Sequence, residues 1–288
     1  MYQIYISIFH KSFRQPRCIV IACFCIYFTV ASVHAQELFA FTEPASNMPA
    51  KSGAIRITNT FMDELSSEKT NTHIIPELMY GFNKNFMIHA SAFISNRNNG
   101  FITEGGALYA RYRFLSNDDL HRHFRMALYG KYAFNNSDIH QDEIEISGHN
   151  SGFESGIIAT QLLHKTALSA TVSFEKAIDN NSNKFPDAQA ASAINYSLSC
   201  GKLMLPKDYS SFKQTNMNAM IELLGQTLPQ NGKSYFDIAP AIQFIFNSQA
   251  RIDAGYRFQL LSSMNRTAPQ GFLLRFEYLL FNPFENRN

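Results

Sequence analysis

Tryptophan is absent from the 288 residues, and cysteine occurs four times, with Cys18, Cys23 and Cys25 near the N-terminus and Cys200 alone in the remainder. A disulfide scaffold within one chain is thereby excluded, and a cysteine-ligated zinc site lacks its ligands. An excess of one charge sign is missing too. The formal net charge is +2, which gives no reason to expect nucleic acid as a partner. Past residue 35 there is no apolar run of the roughly 18 residues that a membrane-spanning helix needs. Internal repeats, low-complexity tracts, EF-hand loops and HExxH spacings are absent as well, so no metal and no cofactor is expected. The mean hydropathy of −0.17 would suit a soluble protein. A transmembrane barrel averages out in the same way, because lipid-facing and lumen-facing residues alternate along each strand.

What is present begins with the layout of a secretory signal peptide over residues 1–35. Lys11, Arg14 and Arg17 form its positive region, residues 18–30 its apolar core, and Val33-His34-Ala35 the small-residue site that predicts cleavage before Gln36. A rival lipoprotein reading of Val20-Ile21-Ala22-Cys23 leaves only five residues between Arg17 and Cys23 for the apolar core. Residues 36–52, with Pro44 and Pro49, read as an irregular periplasmic lead-in, 53–282 as an outer-membrane β-barrel and 283–288 as a C-terminal tail.

The barrel reading rests on alternation. In RIDAGYRFQLL, residues 251–261, Arg251, Asp253, Gly255, Arg257 and Gln259 share one parity and Ile252, Ala254, Tyr256, Phe258 and Leu260 the other, which puts them on opposite faces of a strand. The same period predicts about twelve strands, near 53–62, 72–82, 86–95, 101–115, 123–135, 153–164, 167–178, 188–204, 215–226, 234–246, 250–261 and 271–281. The tight links Asn83-Lys84-Asn85, His164-Lys165-Thr166 and Asn247-Ser248-Gln249 each follow an even-numbered strand. The longer polar connections 63–71, 136–152, 179–187, 227–233 and 262–270 follow odd-numbered ones. With a periplasmic N-terminus, short turns face the periplasm and long loops the exterior, the asymmetry of an all-β, antiparallel outer-membrane barrel. The even-to-odd links 116–122 and 205–214 are longer than this rule expects. Pro76 and Pro240, inside strands, are assigned to bulges, and Glu104 and Glu154, on the apolar parity, to the outer rim. Cys200 shares the parity of Ile194, Tyr196 and Leu198 and is expected to face lipid. Abundant Phe (26) and Tyr (13) near strand ends stand in for the missing Trp in interfacial girdles.

The polar parity collects Glu77, His89, Lys131, Glu222 and Asp237 together with Arg56, Arg111, Arg113, Arg125, Arg251, Asp253, Arg257, Arg275 and Glu277. These last nine are the candidate lumen-lining set. So many charges cannot be buried dry between two sheets, so the interior is expected to be wet or closely ion-paired. As a wet passage it would carry small amphipathic or hydrophobic solutes, with the arginines favouring anions. As an ion-paired brace it would conduct nothing, and the barrel would be structural or surface-interacting.

Signal peptide, alternating strands, short inner turns and the terminal strand GFLLRFEYLLF (271–281) resemble Gram-negative outer-membrane β-barrels. The segment EIEISGHNSGFESGIIATQLLHK (143–165), with RIDAGYRFQLL and the ending FEYLLF, is similar to barrels grouped with the phenol meta-pathway outer-membrane family. The resemblance implies a porin-like transport protein whose partners are outer-membrane lipids, the barrel-insertion machinery during biogenesis and small solutes. One departure is the continuation past Phe281 to Asn288, where many such barrels end on the aromatic that the machinery reads.

Two further clusters carry chemically capable side chains. The loop 137–150 holds His140, Asp142, Glu143, Glu145 and His149, a cation-binding mixture without recognisable spacing that reads as a solvated acidic loop. His149, Asn150 and Ser151 invite comparison with outer-membrane lipid hydrolases, but nearly consecutive loop residues rarely let a base reach a hydroxyl while a third group orients it. No catalytic residue is assigned, and no enzyme is expected. Gly105-Gly106 and Gly152 read as easing strand bends rather than cradling phosphate.

Overall fold

The alternation closes on itself in space. In the computed structural model, which describes residues 39–64, 70–96, 100–119, 122–208 and 213–283, twelve strands form one closed antiparallel barrel in sequence order, with the last paired to the first. They are β1 (Ser52–Asp63), β2 (Thr70–Gly81), β3 (Phe86–Ser95), β4 (Ile102–Asp119), β5 (Arg122–Asn135), β6 (Ser151–Leu163), β7 (Thr166–Ile178), β8 (Ser192–Leu205), β9 (Asn216–Thr227), β10 (Ser234–Phe246), β11 (Ala250–Ser262) and β12 (Gln270–Leu280). Closure removes the free edges that an open sheet would expose. The signal peptide, the first residues of the lead-in and 284–288 of the tail lie outside the described residues.

Every strand has one exposed apolar face. On β2 and β4, Leu78 and Leu108 are 64% and 65% exposed, and Leu128, Val172, Leu198, Ile221 and Phe276 continue the belt. Such a continuous apolar exterior is stable against lipid and not against water. Aromatics gather toward the strand ends. Tyr80, Phe82 and Phe86 touch near the short-turn end, with centroids 4.9 and 5.7 Å apart, and Phe153 and Phe174 pair at 6.5 Å toward the other end. Cys200 is on the outward face of β8, laddered between the exposed Leu168 and Ile221.

Several local readings need correction. The strand expected over 188–204 begins only at Ser192. The link over 116–122 is not long: β4 and β5 continue as a hairpin through Asp119↔Arg122. A bulge at Phe114, between Arg113 and Leu115, flips the side-chain phase there and hides the continuation from a period-two count. The link after β8 does remain long. Pro76 and Pro240 sit at no bulge. The β2–β3 register is the same on both sides of Pro76, His73↔Ser95 and Glu77↔Ser91. The β10–β11 register is likewise unbroken across Pro240, Ile238↔Phe258 and Ala241↔Gly255. The ladder skips the pairs at each proline on the side where an N–H is missing, and both rings face outward among apolar side chains.

Glu104 and Glu154 are not rim residues. A bulge opposite Phe93 and Ile94 turns Glu104 inward, where Ser95 Oγ donates to it at 2.7 Å. In β6 the inward set is Glu154, Gly156, Ile158, Thr160 and Leu162, while Phe153 and Ile157 are exposed outside. Both faces of β6 carry apolar residues, so its parity alone does not reveal which is which. The glycines here do permit close approach. A Cβ on Gly105 would lie 2.0 Å from the Phe134 carbonyl oxygen, and one on Gly152 would lie 2.1 Å from that of Lys176.

Candidate functional site

The lumen is occupied from both ends. At the short-turn end, residues 39–50 leave the barrel wall at Lys51, whose φ of 58° turns the chain inward, and cross the interior as an irregular strap. Asn47 Oδ1, Ser46 O and Pro44 O accept hydrogen bonds from the Arg111 guanidinium at 3.0, 2.8 and 2.7 Å. Ala45 N donates to Thr160 Oγ1 at 2.8 Å, and Ser46 Oγ accepts from Arg125 at 2.9 Å. On the opposite wall, the amides of Ala40, Phe41 and Thr42 all point at the Glu222 carboxylate on β9, at 2.8, 2.9 and 2.9 Å, and Thr42 Oγ1 adds a bond of 2.7 Å. Three successive amides around one carboxylate form an anion-binding nest, with the anion supplied by the wall. Phe39, 1% exposed, packs among Leu162, Ala167, Met220, Ala241 and Leu273.

Glu43 lies at the centre of the strap, between Arg56 at 2.5 Å and Arg111 at 3.3 Å. Burial alone would raise its carboxyl, and the two guanidiniums outweigh that and hold it well below the usual carboxylate range. Arg56 also reaches Glu277 at 2.7 Å and Glu77 at 3.3 Å, and Glu277 accepts from Arg251 at 3.0 Å. Asp253 stands 3.2 Å from Arg251 and 3.8 Å from Arg275.

At the other end the loop over residues 136–150 folds into the barrel rather than standing in solvent. Ile144 and Ile146 are buried, and their backbones bond to Gln226 and Glu175 on the wall. Glu143 is clamped by Arg266 at 2.8 Å and Arg257 at 3.2 Å, which also hold Asp237 at 2.9 and 2.6 Å. Arg266 lies over the Tyr235 ring at 3.8 Å. Against the opposing effect of burial, these guanidiniums lower the Glu143 carboxyl. Ser151 Oγ and Asn150 Oδ1 are engaged with the backbone of Asn135 and of Glu145, so two members of the supposed hydrolytic trio are structural ties of this loop.

All nine side chains of the candidate set lie on the inward parity. Seven of them, Arg56, Arg111, Arg251, Asp253, Arg257, Arg275 and Glu277, take part in ion pairs within the interior. Arg125 holds Asp118 at 2.9 Å as well as the strap, and Arg113 faces inward beside Ala127 near the short-turn end. Period-two reading missed Glu43, Glu143 and Arg266, since these lie outside strands, where parity carries no direction. A signal for the strap does exist in sequence, as a run with two prolines and one acid directly before the first strand.

Between strap and loop remains a chamber of about 440 Å³. Its wall includes His89 on β3, Tyr109 on β4, Tyr129 and Lys131 on β5, Glu154 on β6 and Glu175 on β7.

By fold the chain is a bacterial outer-membrane β-barrel. No family model matches the sequence, and no curated protein matches it. Among solved structures it is similar to an outer membrane channel from Pseudomonas putida F1, with a TM-score of 0.52 and 11% identity over 83% of this chain and 99% of that one. The KdgM porin aligns over 78% of this chain and 98% of its own at 8% identity, with a TM-score of 0.45. OccK2 of Pseudomonas aeruginosa aligns over 80% and 96% at 10% identity, with a TM-score of 0.38. At these identities the likeness concerns the fold.

Proposed function

We propose that the barrel is a gated passive channel for small amphipathic or hydrophobic solutes. The observation that carries this reading is the chamber of about 440 Å³ left between strap and loop. A barrel serving only as a brace gains nothing from an interior void, because unfilled space forfeits packing. The chamber wall mixes apolar Ile75, Phe93 and Ile146 with hydroxyl, amide and charged groups, the lining expected for a solute with both characters. In the resting state the strap blocks the route, and the Glu222 nest is its latch. Conduction then requires residues 39–42 to leave Glu222.

A second reading, a structural barrel with a non-conducting lumen, is favoured by the pairing of Arg56, Arg251, Arg257 and Arg275 with acids. Planar-bilayer conductance separates the two. The channel reading expects low or intermittent conductance for the wild type and a higher open fraction for Glu222→Ala. No conductance from either, with both correctly folded, leaves the braced barrel as the account.

A further inference from the structure

The chamber holds two carboxylates, Glu154 and Glu175, that form no ion pair with a lysine or arginine among the described residues. Glu154 and Glu175 are directly paired across β6 and β7. Glu154 accepts only from the hydroxyls of Tyr129 at 2.5 Å and Ser173 at 2.7 Å. Glu175, 4% exposed, accepts only from amides: Ile146 N at 3.2 Å, Asn195 Nδ2 at 2.7 Å and Gln226 Nε2 at 3.2 Å. The one cation in this row is Lys131, laddered to Glu154, and its ammonium is turned to Ser147 Oγ in the inward loop. Elsewhere in the lumen Glu43, Glu77, Glu143, Asp237, Asp253 and Glu277 meet guanidiniums and Glu222 is wrapped by the strap's amides, whereas here two carboxylates stand side by side with neutral donors. Two adjacent carboxylates in a confined interior either share a proton or hold an external cation.

Three aromatic rings stand on the wall continuous with the pair. His89, Tyr109 and Tyr129 form a ladder with centroid separations of 4.8 and 5.4 Å. His89 is 4% exposed, and its Nε2 has no hydrogen-bond partner among the described residues although the residue lines the chamber. A buried ring nitrogen left in this way is a vacant hydrogen-bonding position. Tyrosine faces attract cations and accept flat apolar surface. Carboxylates, aromatic faces and an unmet polar nitrogen in one chamber together describe a binding site for an organic ammonium ion.

We propose that the chamber binds a small amphipathic ammonium compound, its cationic nitrogen between Glu154 and Glu175 and its apolar body against Tyr109 and Tyr129. This rests on the channel reading for its role in passage, but binding itself does not need conduction. It also reverses the charge preference that the arginines alone suggest, because those arginines are compensated and this pair is not.

Three near-isosteric probes test it on the full chain in detergent: 2-phenylethylammonium, 2-phenylethanol and phenylacetate, with binding followed by calorimetry. The ammonium should bind at least about tenfold more tightly than either of the others, and Glu154→Gln or Glu175→Gln should remove about that factor for the ammonium alone. Heat-modifiable gel mobility reports whether each variant is folded. If neither variant folds, the ranking of the three probes on the wild type decides. Equal binding of the alcohol, preference for phenylacetate, or displacement of the ammonium by Mg²⁺ at equal concentration overturns the proposal. Uptake into proteoliposomes is measured alongside. Charge-selective binding without uptake keeps this site and removes the channel reading, whereas uptake without charge preference does the reverse.

Discussion

Arg56 and Glu277 face each other at directly paired positions of β1 and β12, with 2.7 Å between Nε and Oε2, across the seam that closes the barrel. The same guanidinium holds Glu43 of the strap and Glu77 of β2. One residue therefore ties the first strand, the last strand and the internal segment together.

Replacing Arg56 with Met leaves three inward carboxylates without that partner. Breaking a buried pair from one side costs on the order of 3 kcal/mol. Urea unfolding of the lipid-reconstituted protein should show a loss of this size, and an unchanged midpoint would mean that water already screens the cluster.

Glu222→Ala removes the acceptor of three backbone amides and of the Thr42 and Ser199 hydroxyls. Hydrogen bonds to a charged group contribute about 1.5–3 kcal/mol each, so hydrogen exchange at Ala40, Phe41 and Thr42 should quicken by on the order of a hundredfold. Exchange on the barrel strands should be unaffected. Amides that remain equally protected would show that the packing of Phe39, not the nest, holds the strap.

Acid should loosen both occupants of the lumen. The carboxyls of Glu43 and Glu143 are lowered in the folded protein by their arginine partners. Groups with depressed native values add stability that is complete above the ordinary carboxylate range, about pH 4.3, and is lost as the pH falls through the lowered value. Protection of residues 39–47 should therefore fall on acidification, and Glu43→Gln should flatten that dependence for the strap while leaving the loop's intact. A strap whose protection has the same pH profile in wild type and variant would assign the effect to other groups.

Cys200 should react with an apolar maleimide and resist a membrane-impermeant one in intact membranes, given its place between Leu168 and Ile221 on the outer face. Rapid labelling by the polar reagent would contradict the register of β8.

The barrel was legible in sequence because period two survives wherever a strand has lipid on one side and a polar interior on the other. Met217, Ala219, Ile221 and Leu223 against Asn218, Glu222 and Gln226 is such a strand. It failed at β6, where Ile158 and Leu162 point inward against Ala45 and Phe39 of the strap, and at the bulges beside Glu104 and Phe114, which each shift phase by one residue. The arginines could be placed on the inner face, but their partners could not. Glu43 and Glu143 arrive from irregular segments, and which segment enters a lumen is decided by three-dimensional fit, not by local pattern. The uncompensated Glu154 and Glu175 pair needed the ladder register before it could be seen.

The strap is continuous with β1 through Lys51, nine residues beyond the Thr42 that meets Glu222. A blocker on so short a tether cannot be diluted away, and its local concentration near its own docking surface is on the order of millimolar, however little protein the membrane contains. Any molecule that would displace it by occupying the lower lumen is thus in competition with a resident that never leaves the neighbourhood. On the channel reading, opening becomes a matter of weakening the resident's grip, and the threshold for doing so is set within the chain and not by how many copies the cell makes.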